Sequence, residues 1–398
     1  MDIQTIKSIG YCFGVRAAIE RAEDALKTFP AVYCVGDLAH NKRVSDELRG
    51  KGLITVASVE EIPDGAALVV RTHGLPEAAY KTAESKKLAV VEGSCKYVSR
   101  IHGIVKEQYE KGCQIVIVGE REHPEVVGTC GWCGDGAIVI DSPADAEKLK
   151  FIAQPLCVVA QTTFDFLKWQ EICKILRQFG IKTLEIFDTI CYTTTVRQDE
   201  TAKLAAAVDK MLVLGSGNSS NTNKLFDVAE RYCPHTYFIE SLADLGGIGF
   251  RQKDRIGITA GASTPAGYLT EVINYMANLN NEVTSQEFIK GVEDSFVSYR
   301  AGKRVKGTVI NVDDAGNLHV NIGGKKDGII PVSDGSFQPD EFKAGDPIEA
   351  VIKSNKDAGS GSVLLSKKEA DDIREGDAVV ETVRGGDAFE LTLQEAVK

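Results

Sequence analysis

Three cysteines in this chain are each followed at the same distance by a polar residue able to hold a proton or an anion. Cys12 is followed 28 positions later by His40, Cys95 by His123, and Cys191 by Ser219. Beyond each pair lies a third polar group, His73 in Arg-Thr-His-Gly, Thr162 in Ala-Gln-Thr-Thr and Ser263 in Thr-Ala-Gly-Ala-Ser. Soft thiolates favour iron–sulfur or zinc over magnesium or calcium. A structural zinc wants four ligands. Three cysteines instead suit an iron–sulfur cluster with one iron left open, a position that acts as a Lewis acid. The hydroxyl, amide and imidazole groups around them point to an anionic ligand. Ser219, Ser220 and Asn221 sit where a helix should begin, which makes a cradle for phosphate oxygens. His40, His73 and His123 add ring N–H donors, whose protonated forms a phosphate-rich ligand would favour. Glu125, two residues after His123, is the one carboxylate in these loop motifs placed to deliver protons, and Pro124 stiffens its loop.

Each of the three cysteines closes a short apolar, strand-like run and opens a helix-like one, as in Ile-Lys-Ser-Ile-Gly-Tyr-Cys and Ala-Val-Val-Glu-Gly-Ser-Cys. Each 28-residue partner stands just past a second apolar run. This is a threefold internal repeat of βαβ character. Parallel-sheet folds bind ligands at the carboxyl ends of their strands. Three repeats about an approximate threefold axis bring all these residues to one place.

The 398 residues predict two or three domains. A net charge of −11 argues against non-specific adhesion to nucleic acid or membrane. With no apolar run of spanning length and no secretory signal pattern, a cytoplasmic protein is expected. Of the 10 cysteines, Cys34, Cys113, Cys157, Cys173 and Cys233 read as small core residues of a reducing compartment. Cys130 and Cys133 form Cys-Gly-Trp-Cys, which looks like a dithiol motif, but in a loop after His-Pro-Glu-Val-Val-Gly-Thr and without helix-dipole support.

Gly-Tyr-Cys-Phe-Gly-Val-Arg-Ala-Ala-Ile, Ala-His-Asn, Thr-His-Gly, His-Pro-Glu-Val-Val-Gly, Gln-Thr-Thr, Asp-Thr-Ile-Cys, Gly-Asn-Ser-Ser-Asn-Thr-Asn and Thr-Ala-Gly-Ala-Ser-Thr-Pro occur in this order over residues 1–282. This segment resembles the 4-hydroxy-3-methylbut-2-enyl diphosphate reductases, which catalyse the last step of the non-mevalonate isoprenoid pathway. The resemblance implies an α/β fold of three lobes around a [4Fe-4S] cluster held by Cys12, Cys95 and Cys191, with one iron lacking a protein ligand. It implies a diphosphate pocket from His40, His73, His123, Ser219, Ser220, Asn221 and Ser263. It makes Glu125 the proton source, helped by Thr162 and His123, and a ferredoxin- or flavodoxin-like protein the electron donor. One departure stands out. The family usually has Asp-Ala-Thr-Cys-Pro at its second ligand, whereas this chain has Glu-Gly-Ser-Cys-Lys, placing Lys96 beside the cluster, where a cation tends to raise the potential.

Beyond residue 282 the pattern changes. A connector over 283–298 leads to residues 299–367, where five short apolar runs alternate with Gly, Asp and Asn turns. That order predicts a small OB-type barrel. It resembles the RNA-binding repeat of the ribosomal protein S-one type, a known fusion partner of such reductases. RNA or ribosome contact and a docking role both remain open for it, since OB-type RNA binding needs aromatic stacking platforms and basic residues. The segment offers Tyr299, Phe337, Phe342 and His319, with 10 Lys/Arg against 9 Asp/Glu. Residues 368–398 form an acidic tail or the start of an incomplete repeat. Two rival readings complete the expectations: a cluster-bearing, translation-linked RNA-binding sensor, and a thiol oxidoreductase using Cys130 and Cys133.

Overall fold

The computed structural model describes residues 1–152, 154–181, 183–279, 301–313, 315–322, 327–343, 345–354 and 362–373. The connector and residues 374–398 lie outside them. The chain divides into two compact units, residues 1–290 and 291–398.

The first unit runs β1 (Asp2–Thr5), α1 (Phe13–Thr28), β2 (Val32–Val35), α2 (Lys42–Gly50), β3 (Leu53–Val56), β4 (Ala67–Val69), α3 (Glu77–Ser85) and β5 (Ala89–Val91). It continues with α4 (Lys96–Glu110), β6 (Gln114–Val118), α5 (Pro124–Cys130), β7 (Ile138–Ile140), α6 (Pro143–Glu147), β8 (Leu156–Ala160), α7 (Phe166–Gln178) and β9 (Leu184–Ile186). The last third is α8 (Tyr192–Ala205), β10 (Lys210–Leu214), α9 (Ser220–Tyr232), β11 (Thr236–Ile239), β12 (Arg255–Ala260) and α10 (Ala266–Leu279).

These strands make three parallel sheets with orders β3-β2-β4-β5, β7-β6-β8-β9 and β11-β10-β12-β1. The central strands read as continuous apolar runs because both faces are covered: Leu156–Ala160, Leu-Cys-Val-Val-Ala, is buried at every position. In the second lobe, α7 lays Trp169, Ile172, Cys173 and Leu176 on the sheet, a spacing that fits one helical face.

The three sheets share one connectivity, but the third borrows its fourth strand from the beginning of the chain. β1 pairs with β12 from Asp2↔Arg255 to Thr5↔Ile258. This closes the ring. Each cysteine of the repeat therefore follows the fourth strand of a sheet: Cys12 after β1, Cys95 after β5 and Cys191 after β9.

The second unit is a closed barrel of β13 (Arg304–Val312), β14 (Leu318–Asn321), β15 (Gly328–Ile330), β16 (Pro347–Ser354) and β17 (Val363–Ser366), in the order β13-β14-β15-β17-β16. All five expected strands are present. Val309, Leu318, Val320, Ile330, Ile352 and Val363 fill its interior, and closure leaves no unpaired sheet edge. Residues 367–373 are helical. No helix among the described residues is long and apolar enough to cross a membrane.

Gly93 shows how tightly the strand exits are packed near the site. A Cβ there would stand 2.1 Å from the backbone oxygen of Val70, so an alanine must displace the β4 or β5 exit. Gly93→Ala should lower stability by about 1–3 kcal/mol, as overpacking typically does. It should also disturb the loop that carries Cys95. Urea unfolding combined with iron analysis of the purified protein measures both effects.

Candidate active site

The three cysteines hold one structural role. Cys12, Cys95 and Cys191 are the N-cap residues of α1, α4 and α8. Their amides donate to Ala262 O at 3.0 Å, Thr72 O at 3.1 Å and Thr162 O at 3.0 Å, so each thiol is fixed at a strand exit. Helix N-termini offer free N–H groups and a partial positive charge that favour thiolate. Cys12 Sγ accepts from Val15 N at 3.4 Å. Burial opposes ionisation: it pushes the Cys191 thiol up to about 11, with Cys12 adding to the effect. It raises the Cys95 thiol further, with Cys191 and Cys12 both adding. Three bare thiolates cannot share this space, whereas a metal group that replaces their protons can. Donor type, convergence and buried setting fit an iron–sulfur group.

Arg197, which sequence reasoning missed, supplies a cation to the same region. It is buried and donates to Ala260 O at 3.1 Å and Gly10 O at 2.5 Å. Burial pulls its guanidinium down, while Cys12 and Cys191 oppose that shift. Its counterparts six residues after Cys12 and Cys95 are Ala18 and Ile101, so the repeat gave no signal for it.

A cavity of about 100 Å³ is lined by the three cysteines together with His40, His73, His123, Glu125, Thr162, Ser219, Ser220, Asn221 and Ser263. The three cysteines and every residue expected to bind the anion or to move a proton thus reach one space. The repeat also corrects one correspondence. Gly74 N, Phe164 N and Thr264 N bond back to Arg71 O, Gln161 O and Gly261 O in three equivalent turns. That register aligns His73 and Ser263 with Thr163, and leaves Thr162 equivalent to Thr72 and Ala262. Thr163 lines the cavity too. The run Gln-Thr-Thr holds two identical side chains, and residue type could not choose between them.

The imidazoles of His40, His73 and His123 cluster with ring centroids 4.3, 5.3 and 5.4 Å apart. Burial and mutual repulsion hold His73 well below the ordinary histidine range, and His123 at about 4. Burial, then the Arg71 charge, lowers His40. All three are neutral at pH 7. His123 Nδ1 accepts the Glu125 amide at 3.2 Å, which assigns the ring proton to Nε2. His40 Nε2 and Asn221 Nδ2 are buried with no partner among the described residues. Ser219 caps α9 by accepting from Thr222 N at 3.3 Å. Ser220 Oγ donates to Glu120 at 3.2 Å and accepts from Gln161 Nε2 at 3.3 Å. N–H and O–H groups at a helix start form a donor set for phosphate oxygens.

Glu125 is the second residue of α5, and only 2 % of it is exposed. Its two oxygens accept from Thr162 N at 2.6 Å and Thr162 Oγ1 at 2.7 Å. Burial outweighs those two bonds and raises its pKa to about 7. A carboxyl so tuned is divided between its two forms at neutral pH, the condition for a general acid.

The Cys-Gly-Trp-Cys segment departs from its expected setting. Cys130 ends α5 instead of lying in a loop, so its thiol faces the unfavourable end of the helix dipole. Cys133 is fully buried, and burial raises both thiols, that of Cys133 to about 12. Such thiols are poor nucleophiles. Trp132, between them, stacks on His102 with centroids 5.1 Å apart and donates to Leu75 O at 3.0 Å, which is a packing role.

Residues 3–277 match the family described as LytB protein, and residues 298–368 match the S1 RNA binding domain. The first unit is thus an α/β domain of the LytB class, and the second carries a barrel of the S1 class. Among curated relatives, 4-hydroxy-3-methylbut-2-enyl diphosphate reductase of Clostridioides difficile (strain 630) is 39% identical over 283 residues, covering 70% of this chain and 100% of that protein. The reductase of the same name from Clostridium tetani (strain Massachusetts / E88) is 32% identical over 362 residues, which are 88% of this chain; the chain spans 56% of that protein's length. A solved reductase from Plasmodium falciparum superposes with a TM-score of 0.65 at 26% identity, covering 74% of this chain and 98% of its own. A second solved structure, titled the terminal enzyme of the non-mevalonate pathway, gives a TM-score of 0.51 at 31% identity, covering 70% of this chain and 100% of its own. The chain belongs to the LytB family of 4-hydroxy-3-methylbut-2-enyl diphosphate reductases.

Glu125 also makes a stability prediction. Its folded pKa lies above the unfolded value, so its protonated form stabilises the fold below the ordinary carboxylate range, and that contribution is lost as pH rises through about 7. The histidines act in the opposite direction but are common to wild type and variant. Glu125→Gln should therefore gain on wild type by about 3 kcal/mol between pH 4.5 and pH 7 and beyond. Denaturant titrations at several pH values measure that difference.

Proposed function

We propose that this chain reduces 4-hydroxy-3-methylbut-2-enyl diphosphate to isopentenyl and dimethylallyl diphosphate. The carrying observation is the single cavity that joins three N-cap cysteines, a phosphate-type donor set and a buried carboxyl with a pKa near neutrality. The reaction takes two electrons and two protons, breaks the allylic C–O bond and releases water. His40, His73 and His123, with Ser219, Ser220, Asn221 and Ser263, hold the diphosphate. Glu125 gives a proton to the departing oxygen, and Thr162 holds its carboxyl in place through two hydrogen bonds. His123 caps the helix that carries Glu125, so proton donor and anion donor move as one unit. Cys12, Cys95 and Cys191 would hold a [4Fe-4S] cluster, leaving one iron without a protein ligand. When bound, that group supplies electrons singly and a Lewis-acid position. Ferredoxin- or flavodoxin-like proteins are the class of donor that delivers single electrons.

Anaerobic reconstitution with iron and sulfide tests the assignment. Cys12→Ser, Cys95→Ser and Cys191→Ser should each lose iron, while Cys34→Ser keeps it. Glu125→Gln should keep iron and substrate binding but lose about 10²–10⁴-fold in turnover. A Cys95→Ser protein with full iron and undiminished turnover overturns the reading.

The barrel is proposed as an accessory module for RNA. Among the described residues, its aromatic side chains do not form a stacking platform. Phe337 is buried in the core, Phe342 packs edge-on against it at 6.0 Å, and His319 is tied to Asp313 at 3.1 Å. Tyr299 lies outside the described residues. Contact through phosphates, not bases, is what this composition supports. The proposed division is 1–282 for the reductase, 283–298 for the connector, 299–367 for the barrel and 368–398 for the acidic tail. Truncation after Asn281 should leave an iron-binding, active reductase and abolish any RNA affinity, which in the full chain should fall steeply with salt. A truncated form that folds with full iron yet turns over no substrate would make the barrel part of the catalytic machinery.

A further inference from the structure

Arg71 stands immediately before Thr72 and His73 at the exit of β4. Its Nε donates to Gly74 O at 3.3 Å. One terminal nitrogen lies 2.9 Å from where a Cβ would stand on Gly36. Gly36 has φ +69 and lies at the exit of β2, four residues before His40. The guanidinium therefore spans the two loops that deliver His40 and His73, and the missing side chain of Gly36 makes room for it.

This half-buried cation pairs with no carboxylate among the described residues. Asp37, the carboxylate that follows Gly36, pairs instead with Arg49 at 3.4 Å. Cys34 beside it is a neutral thiol, pushed up to about 12 by burial. A charge partly withdrawn from water without a counter-ion is costly, and a bound anion would relieve that cost. The three histidines bring N–H donors but no charge.

The repeat isolates what Arg71 adds. The equivalent position in the second lobe is Gln161, whose Oε1 lies 2.8 Å from the Cβ position of Gly119, the counterpart of Gly36. In the third lobe it is Gly261. One slot in the backbone thus holds a cation in the first lobe, an amide in the second and, in the third, the Thr222 hydroxyl from a neighbouring helix, so the charge falls in the lobe that supplies two of the three histidines.

We infer that Arg71 is a positioning residue for the anionic end of the substrate, drawing the diphosphate to the His40–His73 side of the cavity and so setting which end of the molecule meets the cysteines. This rests on the diphosphate reading of the pocket. Arg71 does not line the cavity; it acts through its charge and through the two loops it spans.

The experiment uses the iron-loaded full chain, with inorganic pyrophosphate as the probe in anaerobic calorimetry, alongside steady-state kinetics. Arg71→Gln places in this slot the residue its counterpart already uses. Arg71→Met, which keeps the apolar stem, is a second neutral variant, and Arg71→Lys keeps the charge. One charge acting through partly screened protein predicts that both neutral variants bind pyrophosphate about ten-fold more weakly. Arg71→Lys should stay within about three-fold of wild type on the same argument. In the neutral variants KM should rise by more than kcat falls. Undiminished binding by Arg71→Gln or Arg71→Met overturns the inference. Equal losses in Arg71→Lys and Arg71→Gln overturn it too, because the guanidinium would then act only as a tie between loops. Wild type that binds no pyrophosphate overturns the diphosphate reading itself, and this inference with it.

Discussion

Everything at the centre of the first unit answers one constraint: three thiols, three imidazoles and a carboxyl share a cavity of about 100 Å³ with little water to stabilise charge. In such a setting each group adopts its neutral form unless something specific pays for the ion. Burial lowers the histidines, raises Glu125 to about 7 and pushes up the Cys95 and Cys191 thiols. Only a positive group bound among the sulfurs changes this balance. Arg197, anchored on the carbonyls of Gly10 and Ala260, begins that compensation from the protein side. The electrostatics of the site therefore favour a positive group among the cysteines and an anion among the imidazole N–H donors.

A threefold backbone makes this possible without imposing threefold chemistry. The amides of Cys12, Cys95 and Cys191 extend their sheets by the same hydrogen bond, which fixes three thiols at three helix starts. Around them, equivalent backbone positions carry different side chains. His40, His123 and Ser219 correspond, as do His73, Thr163 and Ser263, and as do Lys42, Glu125 and Asn221. Among the described residues, one carboxyl in three equivalent places makes the cavity wall asymmetric. Ring closure by β1 is essential to this arrangement, because without it the third sheet lacks the strand that positions Cys12.

The sequence made the skeleton of this arrangement legible because the signals were local. A cysteine between an apolar run and a helix start is visible in a short window, and a 28-residue offset repeated three times is visible in the whole. The five strands of the barrel were legible for the same reason, as apolar alternation broken by turns. What escaped depends on tertiary distance or on single-residue register. Arg197 meets Gly10 across 187 residues, and no pattern near either announces the pair. Thr163 was passed over for Thr162 because only the turn bond from Phe164 to Gln161 identifies which threonine matches His73. The helix that ends at Cys130 is seven residues long, short enough for its apolar periodicity to vanish.

The neutral imidazoles also bear on how the cavity can distinguish its ligand. Transition metals and phosphates both bind histidine, the first through a bare nitrogen and the second through an N–H. His123 is committed by its neighbour: Nδ1 is occupied by the Glu125 amide, and its proton lies on Nε2. His40 Nε2 is buried without a partner, Asn221 Nδ2 likewise, and Ser219 and Ser220 stand at a helix start. A metal would use three nitrogens and leave those amide and hydroxyl donors unanswered. A diphosphate, with many acceptor oxygens and net negative charge, would answer all of them, beside Arg71, which pairs with no carboxylate among the described residues. The donors on the polar half of the cavity thus favour an anion by their protons as much as by nearby charge.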